Sequence, residues 1–178
     1  MPYGGTELAN AFRTVRKNTI QVAEDIPESS YSFSAAPEVR TVGLMLAHVA
    51  LSTRIWIELH QTLRLTTLVG FDFLSAIERF RAEEGKPRSK AQILELLRSE
   101  GETFANWLEK LTPEFLEEGV TEPDGATVKS RFERILGAKE HEMHHRAQLM
   151  LIERQLGIVP HITRQFQERL AQMKAAKA

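Results

Sequence analysis

Apolar residues recur at helical spacing along almost the whole chain. Leu8, Phe12, Val15, Thr19, Val22 and Ile26 step by 4, 3, 4, 3 and 4 positions, which keeps all six on one face of an α-helix. The pattern predicts a helix near 6–25, with Thr6 placed as its N-cap and Pro27 just past its end. A Ser-rich loop over 28–38 contains Pro37. A second helix is predicted over 41–67. Its segment 42–51 is apolar nearly all round, the mark of the most buried helix in a bundle. Gly70 breaks it, and residues 71–84 form a short helix that ends at Gly85-Lys86-Pro87.

Ser89 and Gln92 have the spacing of a capping box, in which each side chain satisfies a free amide at a helix start. Ile93, Leu97, Phe104, Leu108 and Leu111 then define the core face of a third long helix, near 89–111, stopped by Pro113. Glu122-Pro123-Asp124-Gly125 is turn chemistry. Thr127 is the expected cap of a fourth long helix over 127–156, closed by Gly157 and Pro160, and an amphipathic segment follows at 163–174. No strand of alternating polarity exceeds four residues. The expected fold is all-α: a four-helix bundle with short accessory helices, a single domain over 1–178 with its core at about 6–156.

Composition narrows the function. A chain of 178 residues, 42% hydrophobic and 26% charged, suits one soluble domain. Lys+Arg 23 against Asp+Glu 24 leaves a formal net charge of −1, without the basic excess that a nucleic-acid partner calls for. There is no cysteine, so disulfides, thiolate-ligated zinc and a cysteine nucleophile are excluded. The N-terminal residues lack the charged and apolar regions of a secretory signal, and no unbroken run of about 18 apolar residues suggests a membrane span. Cytoplasm is the default expectation.

The chemistry concentrates in residues 140–149. The core stripe of the fourth helix runs through Phe132, Ile135, Ala138, His141, His145, Leu149, Ile152 and Leu156. Two histidines thus occupy core positions one turn apart, where their rings can converge on one ion. His144, three residues after His141, offers an alternative chelating pair, but it points about 100° away from His145. The stripe favours His145 and places His144 and Gln148 beside the ligands or at the substrate. On the second helix His48 shares a stripe with Leu44, Leu51, Ile55 and Leu59. A buried imidazole needs a partner, since an unpaired buried polar group costs about 1–3 kcal/mol, and a shared metal would supply one.

Other residues read more plainly. His60 is expected at the surface, His161 in a loop without a partner, Trp56 and Trp107 in the core or an interface, and the charged run 78–84 on a solvated face. His141-Glu142-Met143-His144-His145 also fits the H-E-x-x-H pattern of zinc peptidases, where the Glu activates water. On that reading Glu168 is the remaining candidate for third ligand.

Two stretches carry a family resemblance. One is Asp25-Ile26-Pro27 through Ser32-Phe33 and Ala36-Pro37-Glu38-Val39-Arg40-Thr41-Val42-Gly43 to Leu46-Ala47-His48. The other is His141-Glu142-Met143-His144-His145-Arg146-Ala147-Gln148-Leu149 followed by Leu156-Gly157-Ile158 and Pro160. Together they resemble the DinB/YfiT-like superfamily. The resemblance implies a four-helix bundle of unusual topology, a homodimer, and a divalent metal on His48, His141 and His145. Zinc or nickel is preferred, and iron also suits imidazole ligands. It further implies a small-molecule ligand and, in some relatives, transfer chemistry with a low-molecular-weight thiol. A non-enzymatic binding bundle and a metal-dependent hydrolase are the alternatives. Ala147 stands where Gly is common and is expected to alter helix approach beside the site.

Overall fold

A computed structural model describes residues 3–177. Its long helices are α1 (Gly5–Asp25), α2 (Val42–Ile57), α4 (Lys90–Glu109) and α6 (Arg131–Gln155). Shorter helices are α3 (Phe73–Glu84), α5 (Pro113–Glu117) and α7 (His161–Ala175). Strands β1 (Gly119–Thr121) and β2 (Val128–Ser130) form a small antiparallel hairpin. The bundle is therefore all-α in its core, as expected. α1 and α2 each pack on both α4 and α6, so α1 stands diagonally opposite α2, and α4 opposite α6.

The predicted faces are the buried ones. Leu8, Phe12, Val15, Thr19, Val22 and Ile26 all lie in the interior. One apolar cluster joins Val22, Ile26, Leu46, Val49, Leu97 and Leu149. A second joins Phe12, Phe104, Leu108, Leu116, Ile135 and Ala138. Between them α1 contributes Arg16, only 4% exposed.

Several boundaries differ from the sequence reading. α1 begins at Gly5, and its cap is Gly4, whose amide donates to Glu7 Oε2 at 2.9 Å; Thr6 lies inside the helix. Ser89 and Gln92 close the expected capping box at the start of α4. α2 stops at Ile57 and gives way to one π-helical turn, Glu58–Thr62, well short of residue 67. The chain beyond it is drawn off to the hairpin, where Leu68 donates to the Thr121 carbonyl at 2.8 Å. The same hairpin delays α6, so its cap is Ser130, paired with Glu133, and not Thr127. Thr127 instead closes the turn onto Asp124, beside Gly125 at φ 72°. By length and composition Val42–Thr62 meets the requirement for a membrane span; here it is a core helix of the bundle, packed on α4 and α6.

Candidate metal centre

His48 projects from α2 and His141 and His145 from successive turns of α6. Their Nε2 atoms converge: His48 to His141 is 3.0 Å and His145 to His141 is 3.2 Å. One ligand atom from each ring lies within 4.8 Å of the others, and among the described residues these three form the group able to share one ion. In a tetrahedral zinc site with bonds of 2.0–2.1 Å, neighbouring donor atoms stand about 3.3 Å apart. The observed spacing fits that requirement closely.

The other ring nitrogens explain why the Nε2 atoms face inward as lone pairs. His48 Nδ1 donates to the Glu84 carboxylate, and His145 Nδ1 donates to Gln148 Oε1 at 2.8 Å. Gln148 is oriented in turn by donating to His144 Nε2 at 3.2 Å. Each ring with a proton on Nδ1 presents an acceptor at Nε2. Acceptors this close repel unless a cation or proton lies among them, and a divalent ion meets that need. His141 Nδ1 is buried without a hydrogen-bond partner among the described residues. Burial lowers the His141 pKa to about 4, with added repulsion from His145, His48, His144 and Arg40. Burial lowers His145 as well, against the Gln148 hydrogen bond. Neutral imidazoles are the form that ligates metal.

Glu84 is the site residue that the sequence did not reveal. It ends α3 and is 7% exposed. One carboxylate oxygen takes His48, and the other takes Arg40 Nε and Nη2 at 3.3 and 3.2 Å. Burial pushes its carboxyl up, but the His48 hydrogen bond and the charges of His48 and Arg40 outweigh burial and hold it below the ordinary value. A carboxylate behind a ligating histidine fixes the ring and raises its basicity. No local signal marked Glu84: the charged run 78–84, expected on a solvated face, turns Phe80, Arg81 and Glu84 toward the cavity, and only Arg40 and His48 from other elements single Glu84 out.

Two cavities meet at this centre. One, about 320 Å³, is floored by His48 and His141 and walled by Ile55, Trp56, Phe73, Ala76, Ile77 and Phe80. The second, about 490 Å³, reaches His145 and Gln148 past Glu38 and Leu44. Arg40, Arg81 and Glu84 line both. Trp56 packs against the second apolar cluster and lies over Gly137, where an added Cβ would meet its ring at 3.1 Å. It is thus both core, as expected, and cavity wall. Trp107 belongs to the second cluster.

The remaining histidines and acids depart from the sequence reading or complete it. His60 is buried, not at the surface: its Nδ1 accepts from the buried Arg131 at 3.0 Å, and its ring stacks with Trp56. His161 opens α7, is 3% exposed and pairs with Asn18 at 3.2 Å, so it does have a partner. Ala147 faces solvent, and no helix approach depends on it. Glu168 lies exposed on α7, outside the histidine cluster. Glu142 is 1% exposed and held by Arg16, so it is not free to activate water as the peptidase pattern demands.

Residues 11–149 match the DinB superfamily. The chain belongs to that superfamily. No curated protein shows significant sequence similarity to it. Among solved structures it resembles a DinB-like protein, YjoA, from Bacillus subtilis, with 19% identity and a TM-score of 0.61 over 85% of this chain and 92% of that one. It also resembles YfiT from Bacillus subtilis, with 18% identity and a TM-score of 0.67 over 86% of this chain and 88% of that one. YfiT is described as a probable metal-dependent hydrolase with an unusual four-helix bundle topology.

Proposed function

We propose that this DinB protein is a divalent-metal enzyme, with His48, His141 and His145 as ligands, that joins a low-molecular-weight thiol to a small electrophile. The observation that carries the reading is the convergence of three Nε2 atoms, 3.0 and 3.2 Å apart, at the junction of two cavities. Held by His48, His141 and His145 as neutral imidazoles, a divalent ion would supply the Lewis acidity that deprotonates a thiol or lowers the pKa of water to about 7. Zinc or nickel suits the donor set best, and iron is compatible.

The protein's own residues favour thiol chemistry over hydrolysis. Glu84 is engaged by His48 and Arg40, and Glu142 by Arg16, so neither adjoining carboxylate is free as a general base for water. Transfer of a thiol needs no such base once its proton is lost. A sulfur–carbon bond forms, the electrophile's leaving group departs with the bonding pair, and the thiol proton neutralises that group. Trp56, Phe73 and Phe80 would hold the electrophile away from water, while the cavity at His145 and Gln148 admits the cosubstrate. The second reading is a metal-dependent hydrolase, favoured by the description of YfiT.

The test is a panel of low-molecular-weight thiols and electrophiles, run with metal-loaded protein beside ester and amide substrates. Thiol-dependent turnover that disappears in His145→Ala supports the transferase. Turnover without thiol supports the hydrolase. Saturable binding with neither would identify a non-enzymatic binding bundle and sink the proposal.

A further inference from the structure

The 320 Å³ cavity has a specific chemical character that the metal ligands do not explain. At about 30 Å³ per water-sized group it has room for roughly ten non-hydrogen atoms. Its walls are aromatic and branched-aliphatic: Trp56, Phe73, Phe80, Ile55 and Ile77. Such walls accept a flat or branched hydrocarbon body, and a few placed polar groups then fix its orientation.

Charge at the mouth supplies the second requirement. The lining contains two arginines, Arg40 and Arg81, and one carboxylate, Glu84. Glu84 is committed to Arg40 and His48, which leaves Arg81 uncompensated. Of the chain's fifteen arginines, only Arg81 and Arg169 make no side-chain hydrogen bond or ion pair among the described residues. Arg169 sits on the exposed face of α7, whereas Arg81 stands at the junction of both cavities. A free guanidinium beside an apolar cavity is a planar fork suited to a carboxylate or similar oxyanion.

We propose that the cavity takes a small monoanion with an aromatic or branched-aliphatic body of about ten heavy atoms, its anionic group on Arg81 and its body against Trp56, Phe73 and Phe80. This names the electrophilic partner of the proposed transfer and rests on that reading for its chemistry, but the recognition itself belongs to the cavity. A cationic substrate is excluded by the same charges, and the proposed metal on the cavity floor adds to the exclusion.

Calorimetric titration with three probes of nearly equal size tests it: phenylacetate, phenylacetamide and phenethylamine. Chelator-treated protein is used first, so that carboxylate ligation of metal does not imitate recognition by Arg81; zinc-loaded protein follows, with metal content measured in each sample. Phenylacetate should bind the chelator-treated wild type about five-fold more tightly than phenylacetamide, the scale of one charge-assisted contact at a partly exposed rim. Phenethylamine should bind weakest. Arg81→Ala should erase the preference for the acid without weakening the amide, Arg81→Lys should keep part of it, and Phe80→Ala should weaken acid and amide alike. An amide that binds as well as the acid, an acid preference that survives Arg81→Ala, or no saturable binding of any probe at millimolar concentration would each overturn the proposal. Acid preference in protein that takes up no zinc would support the cavity and sink the metal reading, so the two stand or fall separately.

Discussion

Arg16 Nε and Nη2 grip both oxygens of Glu142 at 2.9–3.1 Å, across 126 positions of sequence. Both side chains are nearly sealed from solvent, and Arg16 also donates to the carbonyls of Leu97 at 2.7 Å and Val49 at 3.2 Å. One residue of α1 thus ties together α2, α4 and α6. Breaking such a pair leaves a buried charge and costs about 3–5 kcal/mol, while replacing both members with apolar groups is often neutral. Arg16→Ala should therefore lose most of the stability in urea unfolding, and Arg16→Met with Glu142→Leu should regain most of it. A double variant as unstable as the single one would show that the pair does more than neutralise itself.

Gly101 is the position that admits Arg16. A Cβ there would lie 2.8 Å from Arg16 Cγ and 3.1 Å from Nη1, and four acceptor contacts prevent the arginine from moving aside. In an open helix Gly→Ala stabilises by up to about 1 kcal/mol. Here overpacking of about 1–3 kcal/mol should outweigh that gain. Gly101→Ala is expected to lower the melting temperature, and a rise would mean that Arg16 has more room than its contacts indicate.

Glu84 should govern metal affinity without touching metal. Removing the carboxylate behind a ligating histidine typically costs 10–100-fold in affinity, on the order of one to three kcal/mol. Competition with a fluorescent zinc chelator should show this loss in Glu84→Ala, with Glu83→Ala as a surface control. Equal affinities in the two variants would remove Glu84 from the site.

His48→Ala and Glu168→Ala should behave oppositely. The first should lose metal together with the stabilisation it confers, about 4 kcal/mol when free metal is a thousand times its dissociation constant. The second should keep both, since exposed substitutions usually shift stability by under about 0.5 kcal/mol. Melting each variant with and without chelator separates lost ligation from lost packing at His48. Stoichiometric metal retained in His48→Ala would overturn the ligand assignment.

Stability of the chelator-treated protein should fall on the acid side. Burial lowers the pKa of His60 to about 4, helped by Arg131 and Arg134, and lowers His141 to about 4 as well. Both stay neutral in the folded chain while the unfolded chain takes up protons near pH 6.5, so unfolding binds protons between pH 6.5 and about 4. Their favourable contribution is complete above that window and is lost as pH falls through it. Glu153 acts oppositely. Burial and the nearby Asp25 raise its pKa to about 7, and both its oxygens are buried without a partner among the described residues. Its contribution is complete below about pH 4.5 and is lost as pH rises towards 7. Taken by themselves, these two histidines against this one carboxyl leave one net proton, a slope of about 1.4 kcal/mol per pH unit from these three groups. Glu153→Gln should steepen the acid-side fall and gain stability over wild type at pH 8; urea unfolding across pH 4–8 measures both, and an unchanged profile would contradict the assignment.

Features that depend on local periodicity are legible in the chain alone. The six-residue stripe of α1, the histidine pair embedded in the stripe of α6, and the Ser89–Gln92 cap are properties of a helix and need no partner to be legible. The stripe of the second helix marked His48 as a polar intruder, and the family resemblance joined it to His141, ninety-three positions away. The tertiary structure alone decided whatever depends on two segments meeting. β1 and β2 are three residues each, too short for a pattern, and they exist because they pair; their pairing moved the cap of α6 from Thr127 to Ser130. Glu84, Glu142 and His60 look like ordinary surface or motif residues until Arg40, Arg16 and Arg131 come from other elements to meet them. A charge is buried only where an opposite charge or a hydrogen-bond donor waits, and that partner is chosen by packing and not by neighbours in the chain. The cavity follows the same logic: Phe73 and Phe80 share one face of α3 while Trp56 stands on α2, and only the seating of α3 against α2 turns them into walls around the histidines.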